Sequence, residues 1–219
     1  EMLMAKRDNV YTALSSNIGW KGYSIGYYKV NDIMTDLDEN KQMTKHYDSA
    51  RGNIIEGAEI DLTKNSEFEI VLSFGGSDSE AAKTALETLG EDYNNLKNNY
   101  IDEWTKYCNT LNNFNGKANS LYYNSMMILK ASEDKTNKGA YIASLSIPWG
   151  DGQSDDNTGG YHLVWSRDLY HVANAFIAAG DVDSANRSLD YLAKVVKDNG
   201  MIPQNTWISG KPYWTGIQL

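Results

Sequence analysis

The 219-residue chain has a single cysteine, only three histidines, no clustered basic stretch and no apolar run of membrane-spanning length. One cysteine excludes an internal disulfide and any cysteine-rich zinc site. Cys108 lies in an aromatic helical stretch, where it reads as a small buried apolar residue. His46, His162 and His171 form no HExxH pattern. The formal net charge is −9 and no basic stripe is present, which excludes nucleic acid as a partner, because phosphate binding needs clustered Lys and Arg. No signal-peptide pattern is present. The chain opens on EMLMAKRDNV without an initiator context, and PYWTGIQL at the far end reads as the opening of a further element rather than a polar tail.

What is present is 41% hydrophobic residues and two kinds of periodicity. Residues 1–76 read as β. FEIVLSF at 68–74 puts Phe68, Ile70, Leu72 and Phe74 on one face with period two, AEIDL at 58–62 alternates similarly, and GYSIGYYKV at 22–30 has strand composition. These segments predict several antiparallel strands, part of a β-sandwich. At GGSDSE the pattern changes. Two glycines end the strand, and Ser77 with Glu80 has capping-box spacing. Residues 77–113 read as helical linker with a break at Gly90, and Tyr93, Leu96, Tyr100, Trp104, Tyr107 and Leu111 step by three and four.

From residue 114 the pattern is helical with long connections. Ala118, Tyr122, Met126 and Leu129 mark one helix. ASEDKTNKG at 131–139 reads as a polar loop, its acids and those at 87–92 as solvated faces. GDGQSDDNTGG at 150–160 is too rich in Gly and Asp for regular structure, and it lacks the alternating ligands and terminal Glu of a calcium loop, so no metal is predicted. A helix then opens near Asp168, with Leu169, Val172, Ala173, Phe176 and Ile177 on its apolar face and Gly180 as its stop. A second begins near Asp183, with a stripe of Ala185, Leu189, Leu192, Ala193 and Val196 and a stop at Gly200.

The chemistry concentrates at the mouth of the first of these helices. In YHLVWSRDLYHVANAFIAAGD a tryptophan, an arginine and an aspartate crowd together. Asp168 alone is explained by helix capping, a gain of about 1 kcal/mol. Trp165 and Arg167 are not. Four of the six tryptophans lie after residue 148. Aromatic rings beside Asp, Asn and Arg suit sugars. The C–H face of a pyranose lies on a ring, Asp accepts from hydroxyls, and Arg donates a rigid fork.

GAYIASLSIPWG, GGYHLVWSRDLYHVANAFIAAGD and PQNTWISGKPYWTGIQL, taken in order, resemble the bacterial glucoamylases of glycoside hydrolase family 15. The family pattern of a tyrosine, three intervening residues and Trp-x-Arg-Asp fits Tyr161, Trp165, Arg167 and Asp168 without a gap. Gly-Ala-x-Ile-Ala-Ser fits at 139–144, and the aromatic loop fits at Trp214. The resemblance spans roughly residues 117–219. It implies a multi-domain β plus α architecture of part of an antiparallel β-sandwich (1–76), linker helices (77–113) and the first helices of an (α/α)6 catalytic barrel (114–219). It implies hydrolysis of α-1,4-glucosidic bonds at non-reducing ends of starch-like glucans, releasing glucose with inversion and without a cofactor. Related family specificities are α-1,6-glucan hydrolysis and trehalose hydrolysis; a non-catalytic glycan-binding protein is the alternative of another class. The resemblance assigns the terminal glucose to Arg167 and Asp168, with Tyr161 and Trp165 lining the same subsite and Trp214 packed beside the sugar. The family's two catalytic glutamates are expected downstream of Leu219. The partners implied are an α-glucan or maltooligosaccharide and the remainder of the barrel, and the location implied is extracellular.

Overall fold

A computed structural model of the chain describes residues 1–145 and 160–214, with Trp214 described through its backbone only. The chain divides into two compact units, Glu1–Asn98 and Asn99–Leu219. Trp149 and the acidic Gly-rich segment up to Gly159 lie outside the described residues. No helix among the described residues is long and apolar enough to cross a membrane.

The first unit is built from antiparallel strands. Strands β1 (Met2–Arg7), β2 (Val10–Ser16) and β5 (Ile70–Gly75) form one sheet in the order β1-β2-β5; β3 (Gly22–Tyr27) and β4 (Ile54–Glu59) form another. Helix α2 (Asp78–Leu89) is capped by Ser77, whose hydroxyl accepts from the Glu80 amide, and Glu80 reaches back to the Gly76 amide. It packs Ala81 and Ala85 against Ala13 and Val71. Small residues are needed here because a side chain at Gly75 would stand 2.7 Å from the Ala81 nitrogen.

This packing reverses the predicted facing of β5. Ile70, Leu72 and Phe74 are 50–61% exposed, whereas Ser73 is buried and donates to the Ala81 carbonyl at 2.6 Å. Helix α2 chose the face that allows close approach rather than the more apolar one. β4 begins four residues earlier than the AEIDL alternation implied. A short helix, α1 (Ile33–Asn40), interrupts the strands where the sequence pattern gave no helix. Its N-cap, Asp32, is buried, and its carboxylate accepts from the amides of Met34, Thr35 and Lys29.

Helix α3 (Tyr93–Thr110) crosses the division between the units. None of its residues is fully buried, and Tyr93 and Tyr100 are exposed, so the predicted stripe engages the second core only through partly buried Tyr107 and through Leu111 just beyond the helix end. Cys108 is half-buried rather than buried.

The second unit pairs α4 (Asn119–Ala131), α5 (Ser166–Ala179) and α6 (Val182–Val195) around Met126, Tyr141, Leu169, Phe176 and Tyr191. Each large apolar side chain buried here contributes about 1.5–3 kcal/mol. α5 stops at Gly180, which adopts φ 87°, a left-handed conformation open to glycine at no steric cost. Carbonyls freed at that end are taken by Asn112, whose backbone amide and side chain donate to Ala179 and Ala178. Asp181 caps α6, accepting from the amide and hydroxyl of Ser184. The buried side of α6 is Ser184, Ala185, Ser188, Tyr191 and Val195, while Leu189 is 65% exposed. α6 therefore turns a more polar stripe inward than predicted.

The reason is a buried ionic network. Glu133 is not solvated: its side chain is 7% exposed, and it accepts from Arg187 Nε at 2.6 Å and Nη2 at 2.9 Å. The Gly139 amide donates to the same carboxylate at 3.0 Å, and Lys130 stands 3.7 Å away. Burial pushes the Glu133 carboxyl up, but the hydrogen bonds from Arg187 and Gly139 and the charges of Arg187 and Lys130 outweigh it and hold it at about 2.

These elements make part of an antiparallel β-sandwich, linker helices and the start of a helical barrel.

Candidate sugar-binding site

A two-residue strand, β6 (Val164–Trp165), runs directly into α5. It pairs with β7 (Asn205–Thr206), which pairs with β8 (Pro212–Trp214). Leu163 and Val164 are buried, which anchors the strand. The first turn of α5 is pinned to the 203–206 segment. The Ser166 amide donates to the Gln204 carbonyl at 3.2 Å, and its hydroxyl to the Pro203 carbonyl at 2.7 Å.

The N-cap of α5 is Trp165, in an extended conformation and without a side-chain cap. Its indole N–H donates instead to the Gly160 carbonyl at 2.9 Å. Asp168 is the third residue of the helix and does not cap it, so the capping explanation for an aspartate here fails. A carboxylate in this first turn is favoured by the helix dipole. Arg167 Nη2 lies 3.1 Å from Asp168 Oδ2, and the guanidinium carbon lies 5.8 Å from the centre of the Trp165 ring. Arg167 and Asp168 keep 71% and 43% of their side-chain surface exposed, so both heads are open to a ligand.

Asp168 also lines a cavity of about 280 Å³ between α4, the 141–145 segment and α5. His171, Ser144 and Tyr141 share its wall. None of these three was singled out from the sequence. His171 follows Asp168 by three residues, the spacing that puts both on one helix face. Tyr141 is held by packing on Phe176, with ring centres 5.2 Å apart, and by Arg187 Nη2 at 3.5 Å.

Trp165, Arg167 and Asp168 are thus brought into contact. Tyr161 joins through the main chain: its carbonyl accepts from the Ser144 amide at 3.0 Å, and its ring is partly exposed. Trp214 is connected by strand register, opposite Asn205, which is itself opposite Trp165. Asn205 is fully buried in β7. Among the described residues no group of three or more His, Cys, Asp and Glu side chains is arranged to hold a metal ion.

An aromatic ring, a guanidinium fork and an open carboxylate thus meet at one helix mouth, and the fork and the carboxylate are groups with which hydroxyls pair. Residues 1–109 match the family described as "Glucodextranase, domain N", and residues 116–214 match "Glycosyl hydrolases family 15". The chain belongs to glycoside hydrolase family 15 over residues 116–214, with a glucodextranase-type N domain ahead of them. It is 92% identical over 219 residues to a glucoamylase of Clostridium sp. (strain G0005), covering 100% of this chain and 31% of that protein. It is 25% identical over 197 residues to an uncharacterized glycosyl hydrolase of Methanocaldococcus jannaschii, covering 83% of this chain and 30% of that protein. Among solved structures, a bacterial glucoamylase complexed with acarbose superposes with a TM-score of 0.91 at 99% sequence identity, covering 99% of this chain and 32% of that one. The chain spans about a third of the length of the relatives it matches.

Proposed function

We propose that this chain is the part of an exo-acting α-glucan hydrolase that receives the non-reducing terminal glucose. Arg167 and Asp168 bind its hydroxyls, Tyr161 and Trp165 wall the subsite, and Trp214 packs beside the sugar. The observation that carries this reading is the Trp165–Arg167–Asp168 cluster, held at the mouth of α5 with the carboxylate spared from capping and facing a cavity. The domains follow: residues 1–76 form part of the sandwich, 77–113 the linker, and 114–219 the first barrel helices.

In this reading the acid and base glutamates come from chain downstream of Leu219. One protonates the leaving oxygen while the other activates water on the opposite face of the sugar, with about 6.5–9.5 Å between them. A closed pocket explains action from chain ends. The enzyme works outside the cell, because polymeric starch cannot enter one. The glucoamylase at 92% identity and the acarbose complex support this reading. The test is to offer the full-length enzyme maltose, isomaltose and trehalose and to follow the released anomer by NMR. The proposal expects maltose cleavage with β-glucose formed first. Preferred cleavage of isomaltose or trehalose would replace the linkage assignment, and α-glucose as first product would refute inversion.

A further inference from the structure

Tyr161 and Trp165 sit on one short run, 161–165, and that run is held from two sides. On one side is the segment 140–144, where the amides of Ala143 and Ser144 donate to the carbonyls of Leu163 and Tyr161 at 3.1 and 3.0 Å. On the other is β7, which pairs Thr206 with Val164 and Asn205 with Trp165. Ladders this short do not hold a strand unaided. The place of the run is therefore set by whatever fixes its two neighbours.

Both neighbours are fastened to α6. Arg187 and Tyr191 are four residues apart, which puts them side by side on that helix. Arg187 grips both carboxylate oxygens of Glu133, and Glu133 is the residue that bridges to Tyr141 in antiparallel register. Around that bridge the Asp134 amide donates to the Ala140 carbonyl at 2.9 Å, and the Ile142 amide to the Ser132 carbonyl at 3.1 Å. Arg187 Nη2 also reaches the Tyr141 hydroxyl at 3.5 Å. Tyr191 holds the other neighbour, with its hydroxyl 2.6 Å from Thr206 Oγ1 and donating to the Trp207 carbonyl at 2.9 Å. Contact between α6 and the first segment is close: a Cβ on Gly139 would collide with the Arg187 carbonyl and stand 3.0 Å from the Tyr191 Cβ. A two-pronged guanidinium–carboxylate pair is directional, so it fixes register as well as adding stability. Neither Arg187 nor Tyr191 lines the cavity beside Asp168. Their reach to the site is through the two segments they hold.

We infer that Arg187 and Tyr191 are positioning residues for the terminal-glucose subsite, setting Tyr161 and Trp165 from behind through the 140–144 segment and β7. The inference rests on the subsite proposed at the mouth of α5. The test titrates acarbose against maltose hydrolysis by the full-length enzyme carrying Arg187→Met, Tyr191→Phe or Asp168→Asn. An inhibition constant does not depend on how much of the enzyme is folded, so a residue that serves stability alone leaves it unchanged. A misplacement of about 1 Å in a binding group can cost about a hundredfold. The inhibition constant should rise at least about tenfold in Arg187→Met and at least about threefold in Tyr191→Phe. If Arg187→Met gives no folded enzyme, Tyr191→Phe carries the test. A wild-type constant in a folded variant, beside a raised one in Asp168→Asn, would overturn that residue's role and leave the subsite standing. A wild-type constant in Asp168→Asn would overturn the subsite reading itself, and this inference with it.

Discussion

Replacing Arg187 by methionine removes a guanidinium and keeps most of the stem. In the folded protein this strands Glu133, whose side chain is 7% exposed and which takes two hydrogen bonds from Arg187. Holding the carboxyl at about 2 rather than its ordinary 4.5 corresponds to about 3 kcal/mol of stabilisation of the charged form. Breaking one partner of a buried pair typically costs about 3–5 kcal/mol. The lower end applies here, because Arg187 is 29% exposed and Lys130 remains 3.7 Å from Glu133. Arg187→Met should therefore destabilise the full-length enzyme by about 3 kcal/mol at pH 7, read from urea unfolding followed by near-UV circular dichroism. The pH dependence follows from the depressed carboxyl. In the wild type the stabilisation is fully present above about pH 4.5 and is lost as pH falls through about 2. In the variant only the Gly139 amide and Lys130 oppose burial, so the carboxyl is held down less and protonation costs the variant less as pH falls. The gap between the proteins should be widest near neutrality and close in acid. A gap below about 1 kcal/mol at pH 7, the size of a solvent-exposed pair, or one that stays constant into acid, would refute the reasoning.

Gly139 has φ +84°, and an added Cβ would run into the Arg187 carbonyl. Gly139→Ala should cost at least about 2 kcal/mol, measured by the same unfolding assay. Asp32→Ala removes three amide acceptor contacts at the start of α1 and should cost about 1 kcal/mol, with faster hydrogen exchange confined to the Met34 and Thr35 region. Tyr191 places its hydroxyl 2.6 Å from Thr206 Oγ1 and 2.9 Å from the Trp207 carbonyl. Tyr191→Phe should cost about 1–2 kcal/mol by leaving those groups unpaired, detected as a lower urea midpoint.

The strongly periodic helices were legible in the sequence because their apolar spacing and end residues agree. Gly90 and Gly180 stand at helix ends, and α5 buries Leu169 and Phe176 from its predicted face. Facing was less legible, because a face is buried by its partner and not by its own hydropathy. Ala81 and Ala85 of α2 draw the small side of β5 inward and leave Phe74 outside. Glu133 and Arg187, 54 residues apart, appear as ordinary surface charges until α4 and α6 meet, and their pairing explains why α6 buries serines while Leu189 stays exposed. Helix α1 escaped notice because eight residues are too few to sustain a repeating apolar stripe, and its strongest signal is one buried cap. At the site, the Trp-x-Arg-Asp run was visible as an ordered motif. His171, Ser144 and Tyr141 were not, because the cavity they share is assembled from segments that are distant in sequence.

The central claim is that Asp168 is held open to bind a sugar rather than to cap α5. The most direct test is kcat/KM for maltose of the full-length enzyme carrying Asp168→Asn, which keeps the shape and removes the charge, with Arg167→Ala in parallel. A loss of at least about a hundredfold, or about 2.7 kcal/mol, with an unchanged urea midpoint is the predicted result. Near wild-type kinetics, or a loss matched by destabilisation, would contradict it.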